Sequence, residues 1–333
     1  MLGRAIGKRV GLRTAGVEAF RAFGGSADGL EGVYLDVYGP GAALNVYEGR
    51  APRWVLASAA SREALAVLAP LGVRAVYVKP FAKDRSKLGG DLPAGATDPN
   101  PAAGEALPEA VVIRENGCAI EIRLWDGLST GLFLDQRNNR QWVAEGVARR
   151  VAAGERPAVL NTFAYTCGFS VAAARAGAVT TSVDVSGRYL DWGKRNFALN
   201  GLDPELHRFA RMDTFEFLAY AARKELRYDL VILDPPSFAS GSKKKGIRPW
   251  SSTADYHRLV REASALLTKG GAIFASTNTQ ELCGGDRLER EVIRGLGHEP
   301  RWLKLPAVPV DFSGERGRFA ACAFVPMRAQ RGG

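Results

Sequence analysis

Short apolar runs and longer stretches of helical length alternate along the second half of the chain. The apolar runs lie at residues 158–163, 179–183, 228–233 and 272–276. The stretches of helical length lie at residues 186–200, 214–224 and 253–268. Runs that are apolar on both faces are typical of parallel strands covered by helices, and each helical stretch opens with a Ser or Thr able to cap it. The pattern predicts a doubly wound α/β sheet, whose ligands bind at the carboxyl ends of its strands.

The first third of the chain has a different pattern. Residues 32–39 and 73–79 read as strands, with a helical stretch at residues 52–68 between them. The Pro-, Gly- and Ala-rich segment at residues 91–110 has no apolar period, which predicts a linker. These features indicate a smaller α/β domain before the doubly wound one.

A β-hairpin is expected to connect the two parts. Two alternating runs flank Asn116 and Gly117, a dipeptide that fits both central positions of a type I′ turn. We therefore expect a small N-terminal α/β domain over residues 1–95, which could serve as an RNA platform. The linker and hairpin would follow over 96–127, and the doubly wound domain over 128–333.

The amino-acid composition indicates a globular protein without a membrane span or a metal site. The 333 residues are 46% hydrophobic and 24% charged, as expected for a globular protein with a sizeable core. No run approaches the roughly 20 apolar residues of a membrane span, and no secretory signal begins the chain, so we expect a cytoplasmic protein without a membrane partner. The three histidines lack ligand spacing, and no metal site is expected. The cysteines are far apart and are expected to be reduced: Cys118, Cys167, Cys283 and Cys322.

The chain is basic, with 45 Lys and Arg against 35 Asp and Glu and a formal charge of +10. This balance favours a polyanionic partner such as RNA or DNA, although many basic proteins bind no nucleic acid. Part of the positive charge is concentrated after residue 240, where Trp250 follows a run of basic residues. These residues are Lys243, Lys244, Lys245 and Arg248. Phosphate contact is one role for them, and a solvated loop without a partner is the other.

Polar residues follow the strands at the predicted ligand edge. The first strand runs into a turn with Gly168, where a helix N-terminus would expose backbone amides to a ligand. Asp184 ends the second strand, the place where a doubly wound fold holds ribose hydroxyls. Asp213 follows the next strand candidate, in position for an adenine amino group. Both aspartates could instead cap the helices that follow them, and the absence of GxGxxG counts against a dinucleotide.

The fourth strand ends in the sequence Asp-Pro-Pro-Ser-Phe at residues 234–238. Two prolines end the strand ladder and fix a rigid, extended turn. We expect its carbonyls to be available to a ligand and Phe238 to stack on a planar base. The alternative is a plain strand terminator with a core Phe.

Four motifs, in order, resemble a known family. They are LSTGLFLDQRNNR (residues 128–140), LNTFAYTCGFSV (160–171), TTSVDVSGRYLDWGKRNFALNGL (180–202) and LDPPSF (233–238). They resemble the bacterial 23S ribosomal RNA methyltransferases of the RlmK and RlmI type, which are class I S-adenosylmethionine enzymes. The resemblance covers about residues 111–325, and residues 32–39 look like the small central domain of RlmI-type enzymes.

The resemblance implies a role for individual residues. Asp184 would take the cofactor's ribose, Asp213 its adenine, and Asp234 with Pro235 would face the transferable methyl. The other cofactor-binding residues implied are Asp135, Gln136, Arg137, Asn161, Phe163, Tyr165, Thr166, Gly168, Val185 and Thr214. The catalytic group implied is Asp234, Pro235, Pro236 and Phe238. For residues 135–137 a helix start capped by Asp135 is the alternative, and Cys167 stands where the family usually has Gly.

The absence of a cysteine after the fifth strand indicates which base atom accepts the methyl group. Methylation at carbon 5 of cytosine needs a thiolate near the methyl donor, and RlmI-type sequences have Thr-Cys-Ser after the fifth strand, where this chain has Ser276, Thr277 and Asn278. Cys283 lies beyond these three residues in the chain, and we interpret it as a loop residue rather than as the nucleophile. The tripeptide resembles RlmK-type enzymes, which methylate N7 of guanine, so guanine N7 is favoured. An exocyclic amine stays open, although Ser237 separates the second proline from the aromatic residue.

The expected partner is RNA, with ribosomal RNA favoured, and a homodimer stays open. The PUA domain of RlmI-type enzymes and the THUMP-bearing half that accompanies RlmK are both absent. Two other functions therefore remain: a small-molecule methyltransferase, and a non-catalytic RNA-binding protein that kept the fold.

Overall fold

The computed structural model describes residues 2–56, 58–82, 95–239, 241, 249–315 and 317–327. The chain forms two compact units. Unit 1 comprises Met1–Arg137 with Val308–Glu315, and unit 2 comprises Asn138–Ala307 with Arg316–Gly333. Residues 128–137, which the sequence groups with the doubly wound domain, thus belong to unit 1. One reason is that the buried Arg137 pairs with Asp311 of the same unit.

Unit 1 contains a five-stranded sheet with the order β1-β2-β3-β4-β5. Its elements are α1 (Leu2–Gly7), α2 (Val10–Thr14), β1 (Ala19–Gly24), β2 (Val33–Tyr38), β3 (Gly41–Tyr47), α3 (Ser58–Leu68), β4 (Ala75–Phe81) and β5 (Ala103–Gly104). Strands β3 and β4 are parallel, because α3 carries the chain back between them, and the other pairs are antiparallel. The strands and helix expected at residues 32–39, 73–79 and 52–68 therefore all form.

The expected linker contains a strand. Ala103 and Gly104 pair with β4 as β5, and Ala96 and Leu107 are buried. Gly104 has a φ of 94°, and a Cβ there would lie 2.0 Å from the carbonyl oxygen of Arg74. Small residues let this segment lie directly against β4, a contact that apolar periodicity cannot reveal.

The predicted hairpin is confirmed as β6 (Val111–Glu115) and β7 (Cys118–Ile122), which pair antiparallel. Asn116 and Gly117 have φ values of 49° and 79°. Both lie in the left-handed region that a type I′ turn requires and that Asn and Gly tolerate best.

Unit 2 is built on a seven-stranded sheet with the order β10-β9-β8-β11-β14-β16-β15. Its strands are β8 (Ala158–Thr162), β9 (Val179–Asp184), β10 (Arg208–Arg211), β11 (Tyr228–Leu233), β14 (Leu267–Thr277), β15 (Arg301–Leu303) and β16 (Ala320–Val325), and β12 (Phe238–Ala239) pairs with β13 (Trp250–Ser251) outside the sheet. Its helices are α4 (Arg137–Ala152), α5 (Gly168–Arg175), α6 (Gly187–Leu199), α7 (Thr214–Arg223), α8 (Ser252–Ser264) and α9 (Arg287–Leu296). The doubly wound fold is confirmed.

Five neighbouring strands of this sheet are parallel, and β16 runs antiparallel to both of its neighbours. The chain winds outward from β8 through β9 to β10, then returns to β11 on the other side of β8. The winding reverses between β8 and β11, and this switch point is where a doubly wound sheet binds ligands.

The helix starts follow the expected capping chemistry at α6 and differ from it at α7 and α8. Helix α8 begins at Ser252 rather than after a capping Thr253, and Ser251 before it makes no capping hydrogen bond through its side chain. Ser186 caps α6, its hydroxyl accepting from the backbone of Tyr189 at 3.4 Å. Helix α7 is capped by Asp213 rather than by Thr214, because Asp213 is the last residue with extended backbone. No helix in the described part of the chain has the length and apolar character to cross a membrane.

Candidate active site

Most of the predicted site residues of unit 2 meet at the carboxyl edge of β8, β9, β10 and β11. The turn 163–167 leaves β8, Asp184 ends β9, Asp213 follows β10 and Asp234 follows β11. Parallel strands bring these four points to one edge although they are far apart in the chain.

The turn after β8 has an unusual backbone. Phe163, Tyr165 and Cys167 have φ values of 53°, 50° and 64°, in the left-handed region. Each such non-glycine residue costs about 1 kcal/mol or more, and strain of this kind concentrates at functional sites. The backbone N–H of Ala164 donates to the carbonyl oxygen of Val183 at 2.9 Å, which holds the turn against the tip of β9.

Cys167 has a backbone conformation, with a φ of 64°, that favours Gly. Its left-handed backbone is the conformation that Gly adopts without strain. The side chain is accommodated because Gly193 of α6 faces it. A Cβ on Gly193 would lie 2.4 Å from Sγ of Cys167. Cys167 is fully buried, and burial raises the pKa of its thiol to about 12, so the thiol stays protonated and serves packing.

Asp184 joins two elements with its carboxylate. The backbone N–H of Tyr165 donates to Oδ2 at 2.9 Å, and that of Ser186 donates to Oδ1 at 2.8 Å. Burial raises the pKa of Asp184, and the two N–H donors oppose that shift because they favour the ionised form. Each carboxylate oxygen has a second lone-pair site, so Asp184 can still accept hydroxyl donors.

Two further predicted residues flank this carboxylate. Val185 is 43% exposed and offers an apolar surface beside Asp184. Oδ1 of Asp213 accepts from the backbone of Phe215 at 2.9 Å and of Glu216 at 3.3 Å. Oδ2 has no hydrogen-bond partner among the residues the structure describes, so Asp213 can cap α7 and still accept from a ligand. Thr214 is buried in the first turn of α7.

Buried polar side chains hold the turn at residues 163–167 in place. The amide of Asn161 donates to Oγ of Ser170 at 2.9 Å, and Ser170 is hydrogen-bonded to Ser182 at 2.8 Å. The amide of Asn196 donates to the carbonyl oxygen of Thr166 at 2.9 Å. Asn161 therefore supports the site through α5 and β9, a contact that its sequence position did not reveal.

The turn at residues 234–238 differs from the expectation in one respect. The carbonyl oxygen of Pro236 accepts from Nε1 of Trp250 at 2.7 Å and from Oγ of Ser252 at 3.0 Å. That carbonyl was expected to be available to a ligand, and this was wrong. Its two protein donors lie 14 and 16 residues downstream, where strand periodicity gives no sign of them. The two prolines therefore stiffen a turn that Trp250 and Ser252 also hold through hydrogen bonds.

Two side-chain hydrogen bonds link this turn to the end of β14. Ser276 donates through Oγ to Oδ1 of Asp234 at 2.6 Å, and Ser237 donates through Oγ to Oδ1 of Asn278 at 2.7 Å. The buried hydroxyl of Tyr256 donates to the backbone carbonyl of Ser276 at 2.9 Å. The sequence singled out Ser276 and Asn278 only for the absence of a cysteine, and it missed these contacts.

Phe238 is 67% exposed, so it is not the core residue that the alternative interpretation required. It pairs with Ser251 in the short hairpin of β12 and β13. Trp250 of the same hairpin is buried between Phe163 and Phe215, with ring centroids 5.7 Å and 5.9 Å away. The predicted basic residues lie between these two strands in the sequence and outside the described residues: Lys243, Lys244, Lys245 and Arg248.

Asp135, Gln136 and Arg137 belong to unit 1. The first two lie in a 3-10 turn (Leu134–Gln136), and Arg137 begins α4. The Arg137 guanidinium donates to Asp311 at 2.5 Å and to the carbonyl oxygen of Ala19 at 3.0 Å. These contacts explain why this cation is buried.

The remaining chemistry of the described residues is limited. No group of three or more His, Cys, Asp or Glu in the described ranges could hold a metal ion. All four cysteines are buried, and none forms a disulfide. The polar groups that remain at the strand edge are carboxylates, hydroxyls and backbone amides, which suit an organic ligand with hydroxyl and amino donors.

Comparison with known proteins agrees with this geometry. The sequence profile of the S-adenosylmethionine-dependent methyltransferases matches residues 96–300. YwbD of Bacillus subtilis, a candidate ribosomal RNA large subunit methyltransferase, is 39% identical over 264 residues, which is 78% of this chain and 61% of YwbD. Ribosomal RNA large subunit methyltransferase K of Neisseria meningitidis is 38% identical over 207 residues, which is 62% of this chain and 54% of that protein. The chain thus spans less than two thirds of either relative.

A solved structure shares both fold and sequence. SMU.776, a candidate methyltransferase crystallised with SAH, superimposes with a TM-score of 0.79 at 29% identity, covering 97% of this chain and 81% of the other. The similarity therefore extends over both units of the chain.

Proposed function

The chain belongs to the S-adenosylmethionine-dependent methyltransferase family, and on that premise we propose that it methylates a base of ribosomal RNA, with N7 of guanine as acceptor. The observation that carries the proposal is the strand-edge site of unit 2, in which Asp184, Asp213 and Asp234 lie at the carboxyl ends of β9, β10 and β11, three strands of one parallel set. The relatives named as ribosomal RNA large subunit methyltransferases support the choice of substrate.

The residues at the strand edge suit S-adenosylmethionine. Asp184 retains acceptor sites that would serve two ribose hydroxyls, and Oδ2 of Asp213 would accept from an adenine amino group. Val185 would lie against the adenine. The turn at Phe163, Tyr165, Thr166 and Gly168 would hold the methionine portion, supported from below by Asn161. On the resemblance alone, Asp135, Gln136 and Arg137 are proposed as further cofactor-binding residues.

The cofactor supplies an electrophilic methyl group on a sulfonium, so the protein must chiefly align the acceptor atom. N7 of guanine already carries a lone pair and needs no proton removed, and alignment is then the main task. Asp234 and Pro235 are proposed to face the methyl. Pro236 and Phe238 would bound the base, with the exposed Phe238 ring stacking on it.

The cysteine chemistry supports guanine over carbon 5 of cytosine. Cys283 is buried, its Sγ lies 3.4 Å from the carbonyl oxygen of Thr277, and burial raises the pKa of its thiol to about 11. A thiol with that pKa supplies almost no thiolate at neutral pH. Ser276, at the end of β14, is already engaged with Asp234.

RNA is favoured over a small molecule by charge. The chain carries a formal charge of +10, and four of its basic residues lie in the sequence between β12 and β13: Lys243, Lys244, Lys245 and Arg248. We propose that they contact phosphates while the target base stacks nearby. Residues 1–95 are proposed to act as an RNA platform, residues 96–127 as the connection, and residues 128–333 as the methyltransferase part.

The direct test is methyl transfer from labelled S-adenosylmethionine to ribosomal RNA from cells that lack this gene, followed by nucleoside analysis. We expect label in 7-methylguanosine. Label in a nucleoside methylated on an exocyclic amine would show that this amine, rather than N7 of guanine, is the acceptor. The protein would still be an RNA methyltransferase. Cofactor binding without transfer to RNA would favour a small-molecule substrate, and RNA binding without cofactor binding would identify a non-catalytic protein.

A further inference from the structure

Trp54 presents its indole ring to solvent on unit 1. It lies in a 3-10 turn (Arg53–Leu56) and is 59% exposed, whereas Val55 beside it is 2% exposed and anchors the turn. The indole has no ring contact and no hydrogen bond to any other residue in the described ranges. The indole of Trp54 is therefore more exposed than covered, and no aromatic or hydrogen-bonding partner in the described ranges holds it.

Two exposed arginines lie within four residues of Trp54 in the chain. Arg50 and Arg53 are exposed, and neither forms an ion pair with an acidic residue in the described part of the chain. The backbone N–H groups of Arg50 and Ala51 donate to the carbonyl oxygen of Tyr47 at 3.2 Å and 2.9 Å. A Cβ on Gly32 would lie 2.6 Å from the backbone nitrogen of Ala51, so the turn packs directly on Gly32. The two cations thus stand on a fixed support.

A second aromatic ring begins the same turn. Tyr47 is 37% exposed, and its ring stacks on Phe81 with centroids 4.5 Å apart and planes 9° from parallel. Tyr34 meets its edge at 5.6 Å. Tyr47 is therefore held rigidly while part of it reaches solvent. We call Tyr47, Arg50, Arg53 and Trp54 the Trp54 surface.

We propose that the Trp54 surface binds single-stranded RNA, the bases stacking on Trp54 and the phosphates contacting Arg50 and Arg53. Aromatic faces interleaved with unpaired cations are what a single strand requires, since every base has a face to stack and every linkage carries a charge. A protein partner would leave two guanidiniums to be desolvated without a visible acidic match. Glu48 is the exposed acid within the turn, and the two arginines outnumber it.

This inference rests on the proposed RNA methylation and gives the N-terminal unit a specific role in holding the substrate. The test measures binding of a fluorescein-labelled single-stranded RNA of roughly 15 nucleotides to the full chain by anisotropy, over a range of salt concentrations. We expect Trp54→Ala to weaken binding by about 5- to 100-fold, the range for loss of one stacked base, and Trp54→Phe to retain most of the affinity. We expect Arg50→Gln with Arg53→Gln to reduce the salt slope by about 1.4.

The matched control is Arg223→Gln with Arg261→Gln, which removes the same charge from exposed positions of unit 2. Cofactor binding is measured in every variant. Affinity that falls equally in the control and in the Arg50 and Arg53 variant would reduce the effect to net charge and overturn the inference.

Two other outcomes separate the inference from its premise. Unchanged RNA affinity in Trp54→Ala, with methyl transfer intact in the wild type, overturns the Trp54 surface and leaves the proposed function standing. A wild type that binds no RNA overturns both. A dimer in light scattering that dissociates in Trp54→Ala, with RNA affinity unchanged, would assign the surface to a second copy of this chain instead.

Discussion

The hydroxyl of Ser276 donates a 2.6 Å hydrogen bond to Oδ1 of Asp234, joining the ends of β14 and β11 at the proposed methyl-transfer site. Ser276 is buried, and its own carbonyl accepts from the buried Tyr256 hydroxyl. The carboxylate of Asp234 is thus oriented by a side chain that is itself held in place. Ser276 is a positioning residue, since it acts through Asp234.

Ser276→Ala should lower kcat by about 10- to 100-fold, because a small misplacement of the aligned groups is costly. Ser276→Thr, which keeps the hydroxyl, should recover most of the loss. The KM for the cofactor should change less than kcat, because the proposed ribose and adenine contacts, Asp184 and Asp213, lie at the ends of β9 and β10. Steady-state kinetics of the three proteins provides the measurement, and an equal loss in Ser276→Thr would show that packing rather than the hydroxyl matters.

Asp184→Ala should weaken binding of S-adenosylmethionine by about 1–3 kcal/mol, the scale of leaving ribose donors unpaired. Isothermal titration calorimetry gives the affinity directly. The matched control is Asp191→Ala, which removes an exposed carboxylate of α6 and should leave the affinity unchanged. Equal affinities for wild type and Asp184→Ala would remove Asp184 from the cofactor site.

Asp184 should also leave a signature in the pH dependence of stability. Burial raises the pKa of Asp184 above its unfolded value, so ionisation costs more free energy in the folded protein than in the unfolded chain. The free energy of unfolding of the wild type should therefore fall, relative to Asp184→Asn, as the pH rises from the acidic range towards neutrality. Urea unfolding of both proteins across that range gives the difference, and an opposite slope would contradict the buried environment.

Cys167 and Gly193 should behave as a coupled pair. Gly193→Ala should destabilise the protein by about 1–3 kcal/mol, the cost of overpacking, because the new Cβ would lie 2.4 Å from Sγ of Cys167. The same change made in Cys167→Gly should cost less, because the sulfur is absent. A double-mutant cycle by denaturant unfolding measures the coupling, and additive effects would mean that the two residues do not meet.

No covalent enzyme–RNA intermediate should form through a cysteine. The Cys283 thiol is buried and its pKa is raised to about 11, and Ser276, Thr277 and Asn278 stand where RlmI-type sequences have Thr-Cys-Ser. RNA containing 5-fluorocytosine, incubated with the cofactor, should give no denaturant-stable adduct on a gel. An adduct that forms with the wild type and disappears in Cys283→Ala would show that Cys283 is a nucleophile and would contradict guanine N7 as the acceptor.

The loop between β12 and β13 should contribute to RNA affinity without regard to sequence. Replacing Lys243, Lys244 and Lys245 by Gln should weaken RNA binding uniformly and reduce the salt slope by about 2, while cofactor affinity stays the same. Anisotropy with two RNAs of different sequence provides the comparison. Unaltered affinity and slope would leave the loop as a solvated segment.

The sequence by itself determined the alternation of strands and helices in unit 2 and the residues at the strand tips. Continuous apolar runs are a local property, and so is the Asn116–Gly117 turn, since each depends on neighbouring residues only. Asp184 and Asp213 were predicted for the same reason, because a parallel sheet places the residues at the end of each strand along its carboxyl edge.

Only the tertiary structure decided which side chains meet at that edge. Ser276 reaches Asp234 because β11 and β14 are adjacent in the sheet, although 42 residues separate them in the chain. Cys167 fits its left-handed turn because α6 presents Gly193 to it, and Arg137 is buried because Asp311 lies beside it. Such contacts depend on strand order and helix packing, which hydrophobic periodicity does not encode.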